Sequence, residues 1–127
     1  MTKRHLSQTC AVAFAASAFT IMAFSSASAQ SGEEAFKDCA TCHSVEKDRH
    51  DVGPSLYGVL GRQIGTAEGF RYSNIMKAQK SVWTEEALDR FIADPQAMFR
   101  GNKMPYSGMD DAKQRAAVIA YLKAATK

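Results

Sequence analysis

The feature that most constrains this chain is the five-residue stretch Cys39-Ala40-Thr41-Cys42-His43. Two cysteines three positions apart, followed at once by a histidine, form the signature for covalent attachment of a c-type haem. Because residues three apart lie on one face of a helical turn, both sulfurs can reach the two vinyl groups along one edge of a porphyrin. His43 then lies under the ring and can offer an imidazole nitrogen to the iron. The motif therefore predicts one covalent haem c with its iron.

Three other interpretations of the motif are a disulfide, a thioredoxin-like redox pair and half of a zinc site. A tetrahedral zinc site needs two more ligands, yet the only other cysteine is Cys10 and the only other histidines are His5 and His50. A thioredoxin-like pair needs a βαβ pattern, and no strand-like alternation surrounds the motif. The residues therefore favour haem over the alternatives.

The first 29 residues have the pattern of an export signal. They open with positive charge at residues 3–5, continue with an apolar run over residues 11–24 and end on Ala27-Ser28-Ala29, an A-x-A cleavage site. We predict a signal peptide over residues 1–29, a mature domain over residues 30–127 and a periplasmic location, where c-type attachment is expected in bacteria. An uncleaved signal acting as an anchor is the alternative, although the apolar run falls short of the ~20 residues of a spanning helix.

Removal of this signal leaves 98 residues, which is one small domain with a marginal core of its own. A buried porphyrin would supply the missing apolar volume. The mature chain keeps 14 basic and 13 acidic residues, so its net charge is +1. We expect no nucleic-acid partner, since the chain has no basic run with interleaved aromatic residues. We also expect no stable membrane insertion once the signal is cleaved.

The hydrophobic pattern predicts an all-α fold of about four to five helices joined by long irregular loops. The first helix is expected from Ser31, as its cap, toward the haem motif, and a short one over residues 74–80 after a Ser73 cap. A third helix should start at Thr84 and end at Asp94-Pro95, and a last one should cover residues 110–125. The Gly- and Pro-rich loop between the first two is long enough to wrap a ligand.

Met104 is the candidate for the sixth iron ligand. It lies in a loop between Gly101 and Pro105, where it has no helical face to fill. Its thioether could approach the iron from the side opposite His43, and that ligand pair raises the reduction potential. Met109 is the next candidate.

Three further residues have candidate roles around the haem. Pro54 follows His43 by eleven residues, and its carbonyl could hold the other imidazole nitrogen. Arg62 is equally compatible with a surface charge and with a partner for a haem propionate. Trp83 should belong to the core, and its indole N–H could donate a hydrogen bond to a propionate.

The ordered set of motifs resembles the class I cytochromes c, and most of all the mitochondrial cytochrome c and bacterial cytochrome c2 branch. The resemblance covers essentially all of residues 31–125. Its motifs are Cys39-Ala40-Thr41-Cys42-His43, Gly53-Pro54-Ser55-Leu56, Gly61-Arg62, Gly69-Phe70-Arg71-Tyr72-Ser73, Trp83, Lys103-Met104-Pro105-Tyr106 and Ala120-Tyr121-Leu122. It implies thioether bonds from Cys39 and Cys42 and axial ligation by His43 and Met104.

The resemblance implies two further sets of contacts. Hydrogen bonds to the propionates or to a buried water are implied for Arg62, Tyr72, Trp83 and Asn74. The crossing of the first and last helices is implied at Gly32, Phe36, Tyr121 and Leu122. Two departures stand out: Pro105 replaces an aliphatic residue of the mitochondrial proteins, and the mature charge is far less positive than theirs, which argues against a strongly acidic partner surface.

We expect a monomeric periplasmic mono-haem carrier of single electrons, not an enzyme. Its expected partners are redox proteins: a donor of the quinol-cytochrome c oxidoreductase type, and a terminal oxidase, photosynthetic reaction centre or other reductase as acceptor. One alternative is a peroxidase or gas-binding protein, which would need an open sixth position at the iron. The other is a fixed electron-entry subunit of a larger dehydrogenase or oxidase.

Overall fold

The computed structural model describes residues 26–126. Five helices form in this range: α1 (Ser26–Ala40), α2 (Asn74–Lys77), α3 (Glu85–Ala93), α4 (Pro95–Met98) and α5 (Ala112–Ala125). The same residues contain no β-strand, only isolated bridges that pair His43 with His50 and Gln63 with Val82. The predicted all-α fold with long irregular loops is therefore confirmed. Residues 1–25, with most of the predicted signal peptide, lie outside the described range.

Helices α1 and α5 cross in close contact at Gly32. A Cβ atom at Gly32 would lie only 2.7 Å from the Ala117 carbonyl oxygen and 2.8 Å from the Tyr121 Cβ. The rings of Phe36 and Tyr121 pack beside this point with centroids 5.1 Å apart, and Leu122 is buried. The crossing that the resemblance implies is therefore present, and the absence of a side chain at Gly32 makes it possible.

Helix α1 begins earlier than predicted. It starts at Ser26 instead of Ser31, so Ser31 lies inside the helix and not at its first position. The added turn includes Ala27 and Ala29, and alanine is the best helix former. Nothing between Ser26 and Ser31 is a proline or glycine that would stop the helix.

Helix α3 starts and ends where the sequence predicts, but a further helix follows. The Thr84 side chain accepts the Ala87 N–H at 3.1 Å and caps α3. The Asp94 carboxylate then accepts the backbone N–H groups of Gln96 and Ala97, and so caps α4. Pro95 occupies the first position of α4, where its missing N–H costs no hydrogen bond. The same Asp-Pro pair thus ends one helix and begins another.

Helix α2 is shorter than predicted and ends at Lys77. The chain beyond it turns back to pair with the preceding loop: the Gln63 side chain donates to the Gln79 carbonyl, and the Ile64 N–H donates to the Ser81 carbonyl. Because these bonds engage the carbonyls of Gln79 and Ser81, α2 cannot continue through residues 79–82. Ser73 occupies the cap position of α2, but its side chain makes no capping hydrogen bond.

The core lies under α3 and α5. Its aromatic centre is formed by Trp83, Phe91 and Phe99, whose ring centroids are 5.1 to 6.3 Å apart. Aliphatic and thioether side chains surround these rings: Val59, Ile64, Met76, Leu88, Ile92, Met109, Val118, Ile119 and Leu122. Among the described residues no helix is both long and apolar enough to cross a membrane.

Candidate functional site

A cavity of about 460 Å³ lies beside this core, within the usual size range of ligand pockets. It is bounded by the end of α1 and the turn after it, and by later parts of the chain at residues 52–54, 70–73 and 102–106, with Met76 and Phe91. Cys39, Cys42, His43 and Met104 all contribute to its lining. The fold therefore brings together in one cavity the residues that the sequence predicts to bind haem and iron.

The two cysteines are presented by the end of α1 and the turn after it. The backbone N–H groups of Cys42 and His43 both donate to the Cys39 carbonyl, at 3.1 and 2.9 Å. Both thiols are free. Burial, with a smaller contribution from the charge of Asp38, raises the pKa of the Cys39 thiol.

The His43 ring is fixed in one tautomer by the loop that faces it. Its Nδ1 lies 2.7 Å from the Pro54 carbonyl oxygen, so Nδ1 carries the proton and donates, as predicted, and Nε2 keeps its lone pair. Burial lowers the pKa of His43, although the Pro54 carbonyl and Asp51 oppose this effect. The lowered pKa favours the neutral imidazole, which is the form that binds metals.

Gly53 allows this loop to approach the imidazole. A Cβ atom at Gly53 would lie 2.4 Å from the His43 Cε1 and 2.7 Å from its Nδ1, far inside contact distance. The Gly53 N–H also donates to the Cys42 carbonyl at 2.8 Å. The ring is therefore packed directly against the backbone of the loop.

Met104 enters the cavity from the loop between α4 and α5. Its side chain is half-buried, and its backbone N–H donates to the Asn102 Oδ1 at 2.8 Å. Met109, the second candidate from the sequence, is buried in the core and does not line the cavity. Met76 does line it, from a buried position on α2. The cavity thus contains two thioethers, one presented by a loop and one by a helix.

The four predicted propionate partners have different positions. Tyr72 lines the cavity; burial raises the pKa of its hydroxyl, and the nearby Arg62 guanidinium opposes this. Arg62 is not a lining residue and donates through its terminal nitrogens to the carbonyls of Tyr57 and Ser55. Two others do not line the cavity: Trp83, which is buried in the aromatic centre, and Asn74, which is exposed.

Ser73 is a cavity residue that the sequence did not identify as functional. The Ser-then-helix pattern led to its interpretation as a cap, but the residue lines the cavity, and its hydroxyl is buried without a hydrogen-bond partner. The Arg62 Nε is also buried without a partner. Buried polar groups are normally satisfied, so both atoms have capacity for a further oxygen acceptor.

These features fit a haem. The cavity lining is mostly apolar, as a porphyrin face requires, and the unpaired Ser73 hydroxyl and Arg62 N–H suit carboxylate oxygens. An imidazole nitrogen and a thioether sulfur are ligands that haem iron accepts. The zinc alternative finds no support in residues 26–126, which contain no cluster of three or more His, Cys, Asp or Glu side chains suited to a metal ion.

Comparison with known proteins agrees with this geometry. Residues 29–126 match the family model described as cytochrome c. The chain is 46% identical to cytochrome c2 iso-2 of Magnetospirillum fulvum over 89 residues, which cover 70% of this chain and 93% of that protein. It is 44% identical to cytochrome c2 of Blastochloris viridis over 96 residues, 75% of this chain and 76% of the relative. The structure of cytochrome cH from Methylobacterium extorquens superposes with a TM-score of 0.71 at 37% identity, covering 76% of this chain and 97% of the other.

Proposed function

Since the chain belongs to the cytochrome c family, whose members bind one covalent haem c with its iron, we propose that it is a carrier of single electrons between redox proteins. The observation that supports this proposal best is the single cavity lined by Cys39, Cys42, His43 and Met104. The fold is that of the class I cytochromes c, as the resemblance implies.

In the proposed site, Cys39 and Cys42 hold the haem through thioether bonds. His43 supplies Nε2 to the iron, because its Nδ1 is engaged by the Pro54 carbonyl. A histidine held in this way has a fixed ring orientation and a more basic ligating nitrogen. Gly53, in the same loop, lets the backbone pack directly against the ring.

Met104 is the proposed sixth ligand. If His43 and Met104 both hold the iron, a bound haem would supply a reversible one-electron couple of raised potential and would leave no ligand position for a substrate. The protein's own contribution is to exclude water with the apolar cavity wall and to hold both ligands in position. We therefore propose a carrier rather than an enzyme.

Ser73, Arg62 and Tyr72 are the proposed partners of the haem propionates. The Ser73 hydroxyl and the Arg62 Nε–H can donate to carboxylate oxygens, since neither donor has an acceptor within the protein. Tyr72 lines the same cavity, close enough to Arg62 for the guanidinium to influence its pKa. Trp83 remains a weaker candidate, and Asn74 has the least support because it is exposed.

We place this activity in the periplasm, after removal of residues 1–29. The proposed donor is a quinol-oxidising complex, and the acceptor is an oxidase, a reaction centre or another reductase. Export accounts for the signal-like beginning of the chain and for the haem attachment motif. Intact mass of the exported holoprotein tests the cleavage, since a first residue other than Gln30 would contradict it.

The experiment that tests the function is the optical spectrum of the reduced protein with and without carbon monoxide. A low-spin spectrum that carbon monoxide does not change is the expected result, because both axial positions are filled. Rapid carbon monoxide binding would instead support the peroxidase or gas-binding alternative.

The Met104→Ala variant tests the ligand assignment. We expect it to retain covalent haem and to bind carbon monoxide readily, since the variant opens the sixth position. Met76→Leu is the matched control, because it replaces the other thioether of the cavity with a side chain of similar volume. If Met76→Leu opens the iron and Met104→Ala does not, the two methionines have been assigned the wrong way round.

A further inference from the structure

Asn102 uses its whole side chain to hold the loop that carries Met104. Its Nδ2 donates to the carbonyl oxygens of Pro95 at 2.8 Å and Phe99 at 2.9 Å, and its Oδ1 accepts the Met104 N–H at 2.8 Å. Asn102 is only 8% exposed and lines the cavity. Each polar group of this amide therefore has a partner inside the protein.

Of the three groups that Asn102 binds, the Met104 N–H depends on it most. The Pro95 carbonyl also accepts the Phe99 N–H, and the Phe99 carbonyl also accepts the backbone N–H of Asn102, both at 3.0 Å. These two carbonyls keep a partner when the amide is removed. The Met104 N–H loses its acceptor, and an unpaired donor destabilises the conformation that contains it.

Through Phe99, the hydrogen bonds of Asn102 also reach the core. The Phe99 ring packs against Phe91 and Trp83, with centroids 5.9 and 6.3 Å apart. Asn102 thus links the backbone of Met104 to the aromatic centre through the Phe99 carbonyl.

We propose that Asn102 is a positioning residue for Met104, which fixes the backbone at residue 104 so that the thioether stays at the sixth position of the iron. The inference rests on the proposed ligation by Met104. A ligand that is held in place before binding loses less conformational freedom when it binds. Residues that orient a metal ligand typically change metal affinity by 10- to 100-fold when they are removed.

The test is an imidazole titration of the ferric holoprotein, followed optically, with the reduction potential as a second readout. Asn102→Ala should bind imidazole about 10- to 100-fold more tightly than the wild type, because Met104 competes less well for the iron. Its potential should fall, because methionine ligation raises it. Wild-type imidazole affinity and potential in folded Asn102→Ala would overturn the proposal.

Gln96→Ala is the matched control: Gln96 lies on α4, and its side chain binds the same loop. The Gln96 amide donates to the Asn102 carbonyl and accepts the Gly101 N–H, both at 3.1 Å, but makes no bond to Met104. We expect wild-type imidazole affinity in this variant. An increase equal to that of Asn102→Ala would mean that any loosening of the loop releases the ligand, which rejects a specific role for Asn102.

Asn102→Ser provides the rescue. Within this structure the hydroxyls of Ser44 and Ser55 accept the N–H two residues later, at 2.9 and 3.2 Å, which is the bond that Asn102 makes to Met104. We expect Asn102→Ser to have an imidazole affinity close to wild type. Asn102→Ser also keeps the proposal testable if Asn102→Ala yields no holoprotein. If Asn102→Ser binds imidazole as tightly as Met104→Ala does, the bond to the Met104 N–H does not hold the ligand, and the proposal is overturned.

Met104→Ala, titrated in parallel, distinguishes a wrong ligand assignment from a wrong role for Asn102. If it leaves imidazole affinity unchanged, Met104 is not the ligand and the proposed coordination fails. If its affinity rises while that of Asn102→Ala does not, the coordination stands and only the role of Asn102 is rejected.

Discussion

The His43 imidazole is held by one backbone carbonyl and by the absence of one side chain. The Pro54 oxygen fixes the proton on Nδ1, and Gly53 lets the loop backbone touch the ring. Neither residue has chemistry of its own to offer the iron. Their effect is to leave the His43 ring one orientation and one available nitrogen.

Gly53→Ala should therefore disturb the site strongly. The new methyl group would lie 2.4 Å from the His43 Cε1, so either the ring or the loop has to move. We expect a loss of about 1–3 kcal/mol in the free energy of unfolding, as for other overpacked sites, and a lower holoprotein yield. Denaturant titration measures the first quantity and haem absorbance the second.

Gly58→Ala is the control for this prediction. Gly58 has a φ of 61°, and a Cβ atom there would meet nothing within 4 Å. The control therefore measures the cost of a left-handed backbone without a clash, about 1–2 kcal/mol, with His43 undisturbed. A normal haem spectrum in Gly53→Ala would show that the loop gives way easily and that its contact with the ring is unimportant.

The helices act mainly by bringing distant parts of the chain to the cavity. Helix α1 ends at the haem motif, and α5 holds α1 in place at the Gly32 crossing. The short helix α4 supplies the carbonyl of Pro95 that the Asn102 amide binds. Even a four-residue helix thus contributes to the position of Met104.

Gly32→Ala should weaken the packing of α1 on α5. Its Cβ would lie 2.7 Å from the Ala117 carbonyl oxygen, which is backbone and cannot rotate away. Alanine favours the helix itself by about 1 kcal/mol, so a measured loss would understate the clash. We expect a net loss of about 1–2 kcal/mol in the free energy of unfolding, measured by denaturant titration of the holoprotein.

Glu33→Ala serves as the control on the same helix, since Glu33 is exposed and should change stability by less than about 0.5 kcal/mol. If Gly32→Ala is as stable as the Glu33→Ala control, the helices can separate at no cost and the close crossing is not required.

At the scale of the whole molecule, a bound haem would fill the cavity that the polypeptide leaves beside its core. The cavity of about 460 Å³ is roughly three times the size of a 150 Å³ engineered core cavity. Single Leu→Ala cavities already cost about 3–5 kcal/mol, a large part of the stability of a small domain. The polypeptide alone is therefore not expected to retain this fold.

The double variant Cys39→Ala/Cys42→Ala tests this dependence. Without either thioether, we expect a chain with little haem and with far-ultraviolet circular dichroism of a largely unfolded protein. Cys10→Ala is the control: it removes the third cysteine, which lies within the predicted signal peptide, and should yield normal holoprotein. A native helical spectrum from the haem-free double variant would show that the core is sufficient by itself.

Several features could be predicted because they are local in sequence. The haem motif spans little more than one helical turn, so the relation of Cys39, Cys42 and His43 follows from helix geometry alone. The Met104 loop is marked by its flanking glycine and proline, and the cap of α3 by a threonine, whereas α5 begins at Ala112, two residues later than predicted, with Asp111 as its cap. The order of these motifs was also sufficient to identify the family, which the comparisons confirm.

Other features were decided only by the tertiary structure, because they depend on which distant groups become neighbours. Ser73 was predicted to cap α2, yet it lines the cavity and its buried hydroxyl has no hydrogen-bond partner. The amide of Asn102 has no periodic pattern to mark it, and the carbonyls of Pro95 and Phe99 that it binds come within reach only when α4 forms. By itself the sequence determined the family and its haem cofactor, since the motifs that indicate them are short and local. Packing decided which polar groups hold the ligands, because hydrogen-bond partners depend on distances that only the folded chain sets.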